Sequence, residues 1–222
     1  MPLFRLMAIA MSLYFLFQPV AAHADETDGN ATEITASMQR QYEALGAFRA
    51  DLVQKLTNAA SGSTQTRTGT LVFKQPALIR WQTESPEPEL LVVGSDRVWD
   101  YFPDEETAYR YTTDQVLGSK TMLRFLSGKA RLDEDFYVSV VGRDNGYIKM
   151  ELVPRDPEPS LVQAWLWLIP ESKLLHRVVI VDFFGNENDV TLKSIVLNPE
   201  LPASTFEFTP PKGTEILDTP KD

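Results

Sequence analysis

The 222-residue chain contains no cysteine. That excludes disulfides, thiol nucleophiles, thiolate metal sites and acylation of the chain itself at a lipobox cysteine. It has two histidines, His23 and His176. The first lies in the leader described below, so one imidazole remains, mid-strand in KLLHRVV, too few for a transition-metal site. The patterns G-x-S-x-G, S-x-x-K and H-E-x-x-H, the P-loop and the dinucleotide fingerprint are all missing. Basic residues are scarce: 21 Lys and Arg stand against 31 Asp and Glu, a net charge of −10, which argues against nucleic acid or an anionic membrane as partner. Long apolar runs are also lacking after the first residues, so no later segment is expected to span a bilayer.

The one apolar run, Leu6 to Phe17, follows Arg5 and precedes Ala22-His23-Ala24. A basic n-region, a short h-region and small residues at the cleavage positions predict a signal peptide over residues 1–24, cleaved before Asp25. The exported remainder, 25–222, is expected to be a single soluble domain with a sizeable core.

Two periodicities organise that remainder. Ile34, Met38, Tyr42 and Leu45 share one helical face, which predicts a helix over 32–45 stopped at Gly46. From Phe48 the period becomes two, with strands expected at 48–57, 67–74, 77–84, 89–93, 97–102 and 107–112, then at 136–142, 147–153, 161–169, 173–183 and 189–197. Turn chemistry separates them, most clearly Asn145-Gly146 between two alternating runs. Short connections force antiparallel neighbours, hence a meander of about eleven strands. Residues 113–127 break the pattern. Val116, Leu117, Met122, Leu123, Phe125 and Leu126 have helix-like spacing, and a helical insertion inside a meander must cross one face of the sheet. The expected fold is mainly β with an α cover: a strongly curved, incomplete antiparallel β-barrel closed by a helical lid. The strands carry Phe73, Trp81, Trp99, Tyr101, Phe136, Trp165, Trp167 and Phe183. These residues fit either a packed core or an apolar ligand cavity, since long meanders curl toward ligand-enclosing barrels.

Three ordered fragments carry a resemblance. LGAFRADLVQKLT (residues 45–57) opens with an aromatic, a strand and Gln54. Residues 69–109 hold KQPALIRW, then a strand ending in Gly94-Ser95-Asp96, then Val98-Trp99-x-Tyr101. The end, DFFGNENDV through FEFTPPKGTEILD, holds Asn198-Pro199, Phe206, Phe208 and Pro210-Pro211-Lys212-Gly213. Together they resemble the LolA family of periplasmic outer-membrane lipoprotein carriers. The resemblance implies a monomeric periplasmic carrier and not an enzyme, with no cofactor and no metal. It also implies three partners: acylated lipoproteins as cargo, an inner-membrane lipoprotein-releasing ABC transporter as donor, and the outer-membrane acceptor LolB.

Carried over by motif, Ile79 and Trp81 stand where family members line the acyl cavity, while Arg80 points to the other face. Strand parity and the match add Trp99 and Tyr101. Met122, Leu123 and Leu126 are the expected lid contacts. Many family members place an arginine before the proline to hold the lid shut. Here that position is Gln75, whose amide has fewer donors and no charge, so a less firmly closed empty state is expected.

Other classes stay open on sequence: a carrier or sensor of another exported lipid on the same fold, a structural β protein with a filled core, and a hydrolase. Asp104-Glu105-Glu106 and Asp133-Glu134-Asp135 fall in expected loops, where solvated charge is the ordinary explanation, but a glycosidase needs only two carboxylates.

Overall fold

The computed structural model describes residues 30–113, 122–156 and 158–218. The expected signal peptide, and Val116 and Leu117 of the expected lid, lie outside the described residues.

Helix α1 (Ala31–Ala44) starts where the Asn30 side chain accepts from the Thr32 N–H (3.1 Å), the ordinary N-cap device. Ile34, Met38 and Tyr42 form its buried face. There follow β1 (Ala47–Thr57), β2 (Thr64–Lys74), β3 (Leu78–Ser85), β4 (Glu89–Val93), β5 (Val98–Phe102) and β6 (Thr107–Tyr111). Two short helices come next, α2 (Met122–Leu126) and α3 (Leu132–Asp135). Then come β7 (Phe136–Asp144), β8 (Tyr147–Pro154), β9 (Gln163–Leu168), β10 (Leu175–Val181) and β11 (Glu187–Leu197), and last β12 (Glu215–Asp218). The predicted hairpin forms: Asp144 pairs with Tyr147, and Asn145 and Gly146 both take positive φ (51° and 87°), the requirement of a two-residue I′-type turn.

These strands make one 12-stranded sheet in the order β12-β6-β5-β4-β3-β2-β1-β11-β10-β9-β8-β7. It is not a simple meander. β1 pairs with both β2 and β11, so the chain makes two consecutive meanders joined at their outer ends. The sheet's edge strands, β12 and β7, do not pair, so the barrel stays open, and the segment carrying α2 and α3 runs from β6 to β7.

The twelfth strand was not expected. β12 pairs in parallel with β6, and all four of its residues are exposed. An Arg110–Asp218 pair (2.6 and 2.8 Å) fastens it. β10 also ends earlier than expected, at Val181. Phe183 leaves the sheet because Asp182 Oδ1 accepts from the Phe184 and Asn186 N–H groups (2.8 and 2.9 Å) and closes a turn, which leaves Phe183 and Phe184 exposed.

The concave face carries the core. Phe48, Ala50, Leu52, Leu71, Phe73, Ile79, Val93 and Val98 from one meander join Ile148, Met150, Leu152, Leu166, Leu168 and Val178 from the other, under Met38, Tyr42, Phe125 and Leu126 of the helices. Strand alternation then sends Trp165 and Trp167 outward. There Trp167 donates to Asp144 (2.8 Å) and lies under Arg177 and Lys149.

Candidate functional site: a cavity on the concave face

A cavity of about 710 Å³ lies on the concave face, bounded by β1, β2, β3, β4, β10, β11 and helix α2. This is the size range of pockets that hold small ligands. One side is apolar: Trp81, Leu91, Met122, Leu123, Ile180 and Leu56. Trp81 and Leu91 are there because they are register partners on adjacent strands, both pointing inward.

Five of the predicted site residues, Ile79, Trp81, Met122, Leu123 and Leu126, belong to one buried cluster. Trp81, Met122 and Leu123 line the cavity. Ile79 on β3 and Leu126 on α2 are each 1% exposed and are packed into the core outside the cavity lining.

Trp99 and Tyr101 require a correction. Trp99 pairs with Val92, which pairs with Arg80, and Tyr101 pairs with Leu90. Both therefore share the outward face of Arg80. There they pack on Phe208 at 6.0 and 5.2 Å between ring centres, and Arg110 lies over the Trp99 ring at 5.7 Å. The residues of β5 on the inward parity are Val98, Asp100 and Phe102. The C-terminal segment crosses this outer face, with Phe206 buried and the Thr205 carbonyl accepting from Arg80 (3.4 Å). The F-x-F spacing of Phe206 and Phe208 thus serves the outer layer.

Gln75 donates its side-chain amide to the Tyr42 carbonyl in the last turn of α1 (2.6 Å). Among the described residues it bonds α1 and not α2. It satisfies one of the carbonyls a helix end leaves free, and its own N–H donates to Gly46 (2.9 Å). Tyr42 in turn hydrogen-bonds the Leu175 backbone, and its ring lies so close to Gly128 that a Cβ there would fall 2.6 Å from it. Tyr42 is therefore the junction between α1, the end of α2 and β10, and Gln75 holds that junction from below. Gln75→Ala should lower stability by about 1 kcal/mol, the usual worth of one such bond, measured by urea unfolding. An unchanged midpoint would show the bond to be dispensable.

The sequence did not reveal the other side of the cavity, a polar row across six adjacent strands. Gln54 on β1 donates to Asn188 on β11 (2.9 Å). Arg67 on β2 reaches the Gln54 carbonyl oxygen (3.4 Å), Thr83 on β3 (3.3 Å) and the Glu89 carboxylate on β4. Asp100 on β5 hydrogen-bonds Glu89. Gln54 and Thr83 are 6% and 2% exposed, so this is interior polarity. One signal was available: Phe48, Ala50, Leu52 and Gln54 share parity on β1, which places a polar side chain in an inward register.

Asp100 is partly buried, and its shielded Oδ1 has no hydrogen-bond partner among the described residues. Its pKa is pushed up to about 7 by burial, with repulsion from Glu89 and the hydrogen bond to it adding, and Arg67 opposing. Across the window from the ordinary 3.8 to about 7, the folded protein keeps a proton that the unfolded chain has released. Stability from this group therefore falls as pH rises through that window. Asp100→Asn should match the wild type near pH 4 and exceed it by at least about 1 kcal/mol at pH 8, roughly 2–4 °C in Tm at this length. Parallel melting curves across that range would contradict the assignment.

The two acidic clusters have structural roles. Asp135 binds Arg124 of α2 (3.2 Å) and the Arg131 N–H, tying α2 to α3, and Glu134 pairs with Arg131. Pro103–Glu105 form a 3₁₀ turn between β5 and β6. No group of three or more His, Cys, Asp or Glu side chains placed to hold a metal occurs among the described residues. His176 stacks on Tyr147 at 3.9 Å, and burial pushes its pKa below the ordinary value.

The site is thus an open, curved sheet with helices over its concave side and, beneath them, a cavity with one apolar and one polar wall. Residues 43–209 match the family model for the outer membrane lipoprotein carrier protein LolA, and the chain belongs to that family. It is 28% identical over 214 residues to the outer-membrane lipoprotein carrier protein of Bordetella avium, spanning 96% of each chain. It is 29% identical to that of Pseudoalteromonas translucida, spanning 82% of this chain and 86% of the relative. Among solved structures, an uncharacterized conserved protein from Thermus thermophilus superposes with a TM-score of 0.56 at 12% identity, covering 85% of this chain and 99% of that one. The Mycobacterium tuberculosis lipoprotein LppX gives 0.51 at 11% identity, covering 78% and 99%. At those identities the likeness is one of fold.

Proposed function

We propose that this protein is a periplasmic chaperone for acylated lipoproteins. It receives them from an inner-membrane ATP-driven release complex, shields their acyl chains in the concave cavity and hands them to the outer-membrane acceptor LolB. The observation that carries this reading is the cavity wall of Trp81, Leu91, Met122, Leu123 and Ile180 on the concave face.

The energetics explain why such a cavity needs machines on both sides. Each methylene contributes about 0.8 kcal/mol, so three chains of roughly fifteen carbons hold a lipoprotein in a bilayer by about 35 kcal/mol. Non-covalent binding saturates near −18 to −21 kcal/mol. The carrier cannot extract its cargo unaided, so loading is coupled to ATP, and release follows a gradient of affinity toward the acceptor. The carrier's part is to make the aqueous crossing affordable.

The experiment is to incubate residues 25–222 with spheroplasts. A triacylated lipoprotein should appear in the soluble fraction as a stoichiometric complex, and adding LolB should transfer it. No release, with lipid nevertheless co-purifying, would move the function to another exported lipid.

A further inference from the structure

We propose that the row Asn188–Gln54–Arg67–Glu89 is a headgroup subsite that selects acyl chains carrying an uncharged ester or amide linkage over those ending in an anion. The inference rests on the carrier reading above. It adds a direction and a selectivity to the cavity that an apolar lining alone would not supply.

The direction follows from the lining. Trp81, Leu91, Met122 and Leu123 lie on the α2 side, and Asn58, Ser63, Asp182 and Asn186 lie at the other end, where the β1–β2 and β10–β11 turns approach each other. These turns are tied together, since the Asn186 Oδ1 accepts from the Ala59 N–H (3.0 Å). Between the two ends run Gln54, Arg67, Glu89 and Asn188, all cavity-lining. An amphipathic ligand thus buries its chain toward α2, sets its polar linkage on the row, and leaves past the joined turns at the polar end.

The selectivity follows from charge. Arg67 is the row's one cation, and it is already engaged by Glu89, Thr83 and the Gln54 oxygen. Behind Glu89 stands a second carboxyl, Asp100, hydrogen-bonded to it, so the row's far end carries acid and no further base. The guanidinium is fully neutralised, so an incoming carboxylate or phosphate would be buried beside Glu89 with no free countercharge, which costs far more than burying an ester. An ester or amide needs only a hydrogen bond, and the Arg67 fork, with five N–H donors, and the Gln54 and Asn188 amides can offer one.

The test is competition by defined single-chain ligands against a fluorescent acyl probe, using residues 25–222 at one fixed pH. Monooleoylglycerol and N-oleoyl glycinamide are the uncharged ligands; oleate and oleoyl-lysophosphatidylglycerol are the anionic ones. The wild type should bind the uncharged pair at least tenfold more tightly, about 1.4 kcal/mol. Glu89→Gln, which frees Arg67, should erase or reverse that ratio, and its melting curve checks that it folds. Equal binding of all four ligands by the wild type overturns the subsite while leaving the carrier reading intact, as does a ratio unmoved in a folded Glu89→Gln. No binding of any ligand or of the probe overturns both.

Discussion

Gly69→Ala should cost the protein on the order of 3 kcal/mol or more and leave much of it insoluble. Gly69 sits in β2 opposite Thr83, at the step where the β2–β3 register shifts. A Cβ there would fall 1.9 Å from the Gln82 carbonyl oxygen and 2.9 Å from both the Gln82 carbonyl carbon and the Thr83 Cα. All three atoms are backbone, so no side chain can rotate away. The strands must separate, in the middle of the sheet, between Trp81 and Arg67. A glycine inside a strand usually marks such a bulge or close approach. Overpacking against backbone belongs with the large single-residue effects, and domains of this kind have only about 5–15 kcal/mol in hand. Chemical denaturation measures the change. A loss under about 1 kcal/mol would mean that β2 and β3 are less closely apposed than described.

A pair of tryptophan substitutions should separate the two faces of the sheet. Trp81 and Trp99 are both 7% exposed and lie two strands apart, but they point in opposite directions. Replacing either with alanine removes a buried indole and should cost about 3–5 kcal/mol of stability. Function should divide them. Trp81→Ala opens the wall of the cavity and should weaken acyl binding at least tenfold. Trp99→Ala disturbs the outer-face packing of Phe208 and Arg110 and should leave binding within about twofold. Equilibrium binding of a fluorescent acyl probe decides the matter, and equal losses in both variants would contradict the assignment of faces.

That pair also shows where the sequence stopped being legible. Within a strand, alternation fixes which residues share a face, so Ile79 with Trp81 and Arg80 opposite could be read directly. Between strands, the face depends on register. β3 and β4 pair Ile79 with Val93, which preserves odd numbering inward. The four residues between β4 and β5 pair Val93 with Val98, which turns even numbers inward and sends Trp99 and Tyr101 out. Parity carried from Trp81 could not detect that switch.

Strand positions were legible because alternation and turn residues are local signals. β12 was not, because nothing in Glu215–Asp218 alternates toward a core. It is a strand because it reaches β6, more than a hundred residues earlier. The break between β6 and β7 was legible only as an insertion. That the sheet stays open between β12 and β7 follows only from the β1–β11 pairing and from β12 covering β6. The polar row was hidden for a different reason. Arg67 and Glu89 each look like a solvated charge near a strand end, and only their meeting across the concave floor gives them a buried role.

The central claim is that acyl chains lie on the concave face beneath α2. Photocrosslinking with a fatty acyl ester carrying a diazirine at its methyl end, followed by peptide mass spectrometry, tests it most directly. Adducts are expected on Trp81, Leu91, Met122 and Leu123. Adducts on the outer face, around Trp99, Phe206 and Phe208, would contradict it.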